Sequence, residues 1–173
     1  MLEAVKNGID ADLSGYLLAI LNAGSLPGRI LPGYYGDKHG RFNVMIAMCA
    51  LSALVLLVMW LPGTLLAPRS AAVYIITSLL YGFASGAFVG MVPALLGQIS
   101  PDITKIGVRQ GILFTCSSAA TLTGSPIAGA ILSRQNGNFW GLQVFTGVMM
   151  VACVLLLVLT RISLVGFALR VKV

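Results

Sequence analysis

Five long apolar runs, parted by short breaks, constrain this chain more than any other feature of its sequence. They cover residues 13–35, 42–61, 71–98, 108–133 and 139–160. A helix needs about 20 mostly apolar residues to cross the hydrocarbon core of a bilayer, and each run supplies them. The runs are continuous rather than alternating, which excludes the strands of a lipid-facing barrel. Charged residues make up 9% of the chain, hydrophobic ones 58%, and the mean hydropathy is +0.95. A soluble domain coats itself with about 25% charged residues. The expected fold class is an all-α integral membrane protein with about five transmembrane helices.

The breaks at residues 34–41, 62–70, 99–107 and 134–138 are rich in turn-forming residues. Short connections make successive helices antiparallel neighbours and leave no room for a soluble domain. With sides alternating, one side receives Lys38, Arg41, Lys105, Arg109, Arg161, Arg170 and Lys172, and the other receives Lys6, Arg69 and Arg134. The positive-inside rule puts the first group in the cytoplasm. Residues 1–12 are then extracytoplasmic, and residues 161–173 form a cytoplasmic tail. The opening "MLEAVKNGIDAD" is mixed in character and lacks the pattern of a cleavable secretory signal. The net charge of +6 lies singly or in pairs between the apolar runs rather than on one polar face. That is a membrane-loop pattern, so the lipid bilayer is an expected partner and nucleic acid is not.

Arg29 lies inside the first run. A charge within a span costs about 2.5–3.5 kcal/mol on insertion scales and usually faces a bundle interior or a water-filled cavity. Asn22, Ser25, Arg29 and Gly36 recur at helical spacing and form one polar stripe. Arg29, Asn22 and Ser25 are therefore candidate substrate-binding residues for a small anionic molecule. The competing reading is an arginine close enough to the cytoplasmic end to snorkel to lipid phosphates. Small residues also recur at helical spacing. Gly82, Gly86 and Gly90 share a face of the third run, Gly24 and Gly28 mark the first, and Gly124, Pro126 and Gly129 mark the fourth. Such faces let helix backbones approach closely, as static packing or as a sliding surface. Pro32, Pro93 and Pro126 each free a carbonyl and permit bending.

Cys49, Cys116 and Cys153 each stand alone in an apolar run and read as small buried residues. No metal or cofactor is implied. His39 sits in a break beside Lys38, Asp37 and Asp102 are also in breaks, and no phosphate-binding glycine-lysine motif occurs. With no catalytic set, an enzyme is not expected.

The segment "GYYGDKHGR", from Gly33 to Arg41, resembles the loop signature of major facilitator transporters, G-x-x-x-D-[RK]-x-G-R. Gly33, Asp37, Lys38, Gly40 and Arg41 match it, whereas Phe42 stands where a further basic residue is usual. Together with "YLLAILNAGSLPGRILPGYYGDKHGRFNV", "ALLGQISPDITKIGVRQGILF" and "LTGSPIAGAIL", the chain resembles the C-terminal half of fungal monocarboxylate-transporter-like facilitators, from about Leu13 to Arg161. The resemblance implies that the five spans correspond to the eighth to twelfth helices of a twelve-helix transporter, an incomplete six-helix half. It implies alternating access, with the loop motif locking one state at the cytoplasmic face, and Arg29 matching an arginine used in substrate recognition. Animal members place an aspartate one turn before that arginine, where this chain has Ser25.

From the residues themselves, Gly33 is expected to allow close packing of the first span. Asp37 is expected at the start of the second span, favoured by the helix dipole and paired with Arg41. The leading expectation is a secondary transporter of a small organic anion or fungal metabolite, most simply in the plasma membrane. The alternatives are a truncated form that needs a missing N-terminal half or another membrane chain, and a small membrane interaction protein assembling through its glycine faces.

Overall fold

The computed structural model describes residues 2–66, 70–100 and 102–165. Its elements are α1 (Leu2–Lys6), α2 (Ala11–His39), α3 (Arg41–Leu54), a π-helical segment (Val55–Trp60), α4 (Leu61–Leu66), α5 (Ala71–Ile99), a 3-10 turn (Ile103–Lys105), α6 (Ile106–Arg134) and α7 (Trp140–Val165). No strand occurs among the described residues, and the all-α membrane class holds. Three rods are both long and apolar enough to cross a bilayer: Arg41–Leu66, Ala71–Ile99 and Trp140–Leu164. At 29 residues each, α2 and α6 are equally long, about 43 Å at 1.5 Å per residue. Glycine, serine, threonine and proline dilute their apolar content.

The first break is not a loop. Asp10 opens α2, its carboxylate accepting the N–H of Asp12 at 3.2 Å. The helix then runs through Pro27, Pro32 and the whole GDKH segment to His39. Gly40 alone interrupts it, at φ 93°, with its N–H bonded to the Gly36 carbonyl at 2.9 Å. That backbone conformation suits glycine, and α3 begins at the next residue. Asp37 therefore lies in the last turn of α2, not at the start of the second span as expected. The helix dipole disfavours a carboxylate there.

The second expected span extends beyond residue 61, because the π segment joins α3 to α4 without a turn. Residues 67–69, with Arg69, lie outside the described residues. So does the end of the tail, with Arg170 and Lys172. Residues 161–165 continue α7, and Arg161 is buried. Between α6 and α7 the chain reverses through Asn136 and Gly137, at φ 53° and 77°.

Helices α2, α3, α5 and α7 form the packed body. Phe42, Met45 and Cys49 of α3 meet Ala87, Met91 and Leu95 of α5, with Cys153, Val154 and Leu157 of α7 against them. In lipid this packing gains no hydrophobic driving force, since acyl chains are as apolar as leucine. It rests on van der Waals contact, about 0.1–0.2 kcal/mol per well-placed atom pair. Helix α6 stands apart and has no buried residue along its length. An added Cβ at Gly124 or Gly129 meets nothing within 4 Å, and Pro126 is exposed. The expected packing face at Gly124, Pro126 and Gly129 thus has no partner helix within the described residues. Cys116, also on α6, is exposed rather than buried.

Candidate functional site

The small residues of α2 form one wall of a seam with α5. Gly24, Gly28 and Ser25 of α2 are buried against Gly82 and Gly86 of α5. A Cβ placed at Gly24 would stand 2.5 Å from the Leu79 carbonyl oxygen, and one at Gly86 would stand 2.5 Å from that of Ser25. At Gly28 and Gly82 it would collide with the Phe83 and Leu21 carbonyls. Gly90 is looser, at 3.1 Å from the Arg29 carbonyl. Backbone meets backbone along three turns, with no side chain between. Only glycine permits that approach, and the i, i+4 spacing keeps it on one face of each helix.

The three candidate binding residues divide across this seam. Ser25 is buried, and its hydroxyl donates to the Asn22 carbonyl at 2.8 Å. Asn22 and Arg29 are exposed on the outer flank of α2. Arg29 lies ten residues before the end of α2 at His39, a rise of about 15 Å. The helix continues through the expected break at residues 34–41, so Arg29 is farther from its end than that break implied.

Asp37 and Arg41 meet across the Gly40 break. Arg41 Nε donates to Asp37 Oδ1 at 2.9 Å, and the Nη2–Oδ1 separation is 2.8 Å. Arg41 Nη1 also donates to the Ala94 carbonyl of α5 at 3.2 Å. Each charge sits at the end of its helix that the dipole disfavours, so each stabilises the other. The guanidinium gains further from the C-terminal turns of α5. Arg41 thereby fastens the α2–α3 junction to α5. Lys38 and His39 are exposed, and the His39 ring lies 3.3 Å from the Tyr35 carbonyl. Gly33 meets no neighbour within 4 Å. The close approach expected of it belongs to Gly36, whose Cβ would stand 3.0 Å from Met91 Cε.

Sequence reading missed a second polar group at the opposite end of the body. Glu3 of α1, Thr64 of α4 and Gln143 of α7 are all buried. Gln143 Nε2 donates to Glu3 Oε1 at 2.7 Å and contacts Thr64 Oγ1 at 3.1 Å. Burial pushes the Glu3 carboxyl up from its ordinary value, while Trp60, Thr64 and Gln143 pull it down. Lys6 donates to the Gly137 carbonyl at 2.6 Å and to Asn138 Oδ1 at 3.2 Å, which fastens α1 to the α6–α7 turn. No cluster of three or more metal-ligating side chains occurs among the described residues.

The arrangement is a rigid helical body with an ion-paired junction, and its relatives are membrane carriers. The chain is 41% identical over 172 residues to the MFS transporter asaE of Aspergillus flavus, covering 99% of this chain and 38% of that protein. It is 45% identical over 155 residues to an MFS-type transporter of Gibberella moniliformis, covering 90% of this chain and 36% of that protein. To the riboflavin transporter MCH5 of Saccharomyces cerevisiae it is 37% identical over 166 residues, covering 95% and 31%. The chain thus spans less than two-fifths of the length of these relatives. No solved structure matches it significantly. The family profile of the Major Facilitator Superfamily covers residues 2–168. The chain belongs to the major facilitator superfamily of transmembrane transporters.

Proposed function

We propose that this chain supplies the C-terminal helices of a secondary transporter that moves a small organic anion or a fungal metabolite by alternating access. In this reading five helices cross the membrane: α2, the Arg41–Leu66 rod, α5, α6 and α7. Lys38, Arg41 and Lys105 then lie on the cytoplasmic side, and the plasma membrane is the simplest location. The observation that carries the reading is Arg29, exposed on α2 about 15 Å before the helix ends. A guanidinium there offers a fork of donors that fits a carboxylate.

The family resemblance favours a monocarboxylate-like substrate, and the riboflavin transporter among the relatives widens the class to neutral metabolites. A span of less than two-fifths of the relatives' length favours function together with further helices. The third alternative, assembly through glycine faces, is weakened at Gly82, Gly86 and Gly90, which are consumed by the α2–α5 seam.

Proteoliposomes test the proposal. The chain is reconstituted alone and together with the separately expressed N-terminal half of asaE, and uptake of labelled lactate and of riboflavin is followed. Uptake that needs the added half, weakens strongly in Arg29→Lys and vanishes in Arg29→Ala supports the reading. Losing one partner of a desolvated charged pair costs about 2–5 kcal/mol, roughly thirtyfold or more in affinity. Equal affinity in the lysine variant would mean a snorkelling arginine and would remove Arg29 from the site.

A further inference from the structure

A cavity of about 380 Å³ opens beneath α1, between α2, the π segment, α5 and α7. It lies two to three turns before Arg29 on α2, so it is separate from the proposed anion site. Its walls are largely apolar, with Leu17, Leu21, Leu56 and Leu142 among them. Trp60, Tyr74 and Tyr81 add aromatic surface. The volume falls within the range of about 300–1,000 Å³ that small-molecule sites occupy.

Two residues of this lining each hold a polar atom that is left over. Glu3 Oε2 and Thr77 Oγ1 are buried and have no hydrogen-bond partner. Each residue is 7% exposed. The other Glu3 oxygen is held by Gln143, so the carboxyl is fixed in place with one face unsatisfied. A buried polar group left unpaired costs about 1–3 kcal/mol, more for a charged one. Lys6, one turn away on the same helix, is bonded to Gly137 and Asn138 instead. Leu56 and Trp60 of the π segment, four residues apart, both line this space.

We propose that this cavity is a binding site for a small protonated amine with an apolar or aromatic body. The ammonium donates to Glu3 Oε2, and the body lies against the leucines, Trp60 and the tyrosines. A cation fits better than a neutral donor for two reasons. It supplies charge to a carboxylate that burial otherwise penalises, and the ring faces of Trp60, Tyr74 and Tyr81 attract it. A carboxylate ligand is rejected, because it would bring a second negative charge to Glu3.

Trp60 is the reporter. The chain carrying Trp140→Phe is placed in phosphatidylcholine nanodiscs, so that Trp60 is the sole tryptophan. Its fluorescence is titrated at neutral pH with 4-phenylbutylamine, 4-phenylbutan-1-ol and 4-phenylbutyrate. The amine is expected to give saturable quenching at least tenfold tighter than the alcohol, with no saturable response to the acid. Glu3→Gln keeps the shape and should remove most of that tenfold preference. Ser78→Leu, which fills the cavity from α5 and keeps the Glu3 carboxyl, should abolish quenching by the amine while the helical circular dichroism stays unchanged. Equal binding of all three compounds would show hydrophobic partition only and overturn the proposal. So would an unaltered amine preference in Glu3→Gln, or no saturable binding to the parent chain, the result expected if an apolar helix or acyl chain fills the groove.

Discussion

The α2–α5 seam makes a graded prediction for glycine-to-alanine changes. At Gly86 the new Cβ stands 2.5 Å from the Ser25 carbonyl oxygen, whereas ordinary contact begins at 3.4 Å. The helices must part by about 0.9 Å, which forfeits a quarter to a half of the dispersion well for atoms along the seam. Overpacking of this kind costs about 1–3 kcal/mol. Alanine returns about 1 kcal/mol through helix propensity, so the net loss at Gly86 is about 0–2 kcal/mol. At Gly90 the approach is 3.1 Å, and the two effects nearly cancel. At Gly97 a Cβ meets nothing within 4 Å, so alanine should stabilise by about 0.4–1 kcal/mol. Thermal unfolding in one detergent, followed by labelling of the buried Cys49 with a thiol-reactive dye, ranks the variants. Stability should rise from Gly86→Ala to Gly90→Ala to Gly97→Ala. If Gly86→Ala matches Gly97→Ala, the backbone approach does not hold the body together and the seam argument fails.

Three further outcomes are expected. Asp37→Asn should change stability by no more than about 1 kcal/mol, since the pair it breaks is partly exposed. It should still impair uptake by a complete transporter, and unchanged transport kinetics would remove the junction from the cycle. Docking of α1 should weaken as pH rises. The buried Glu3 carboxyl holds its proton above its unfolded value of 4.5, so the stabilising contribution is full below that pH and lost as pH climbs through the raised value. Spin labels at Val5 and Trp140 should show a broadening distance distribution between pH 4 and pH 8, and Glu3→Gln should flatten that response. For topology, in a cysteine-free background an impermeant maleimide added to intact cells should label Arg134→Cys and not Lys105→Cys; the reverse pattern would invert the chain in the membrane.

The helices were legible because twenty or more apolar residues in a row admit few other fates in this composition. Their ends were less so. "GDKH" has the look of a loop, yet glycine, aspartate, lysine and histidine can all continue a helix when neighbours hold it, and only Gly40 takes a φ that breaks one. The i, i+4 glycines announced a close approach. Which of them would be used depended on helix rotation, so Gly36 is packed and Gly33 is not, and the similar pattern on α6 meets no neighbour. The π segment carries no composition of its own. Glu3 and Gln143 are 140 residues apart, and no local pattern joins a carboxylate in a mixed opening segment to an amide in an apolar run. The exposure of Arg29 and Asn22 follows the polar stripe, but the burial of Ser25 between them required the position of α5.

A seam without side chains has a mechanical meaning. Helices that meet through leucines or methionines can slide by small amounts, because each rotamer change absorbs part of the displacement. Where Gly24 and Gly28 of α2 face Gly82 and Gly86 of α5, the nearest atoms across the seam are backbone, and few rotamers are left to change. The pair therefore behaves as a stiff beam, pinned at one end where Arg41 reaches the Ala94 carbonyl. Helix α6, with no buried residue along its length, is held to that body far less closely. In the alternating-access reading proposed above, α2 and α5 would move as one piece, and α6 would be the helix left to shift against them.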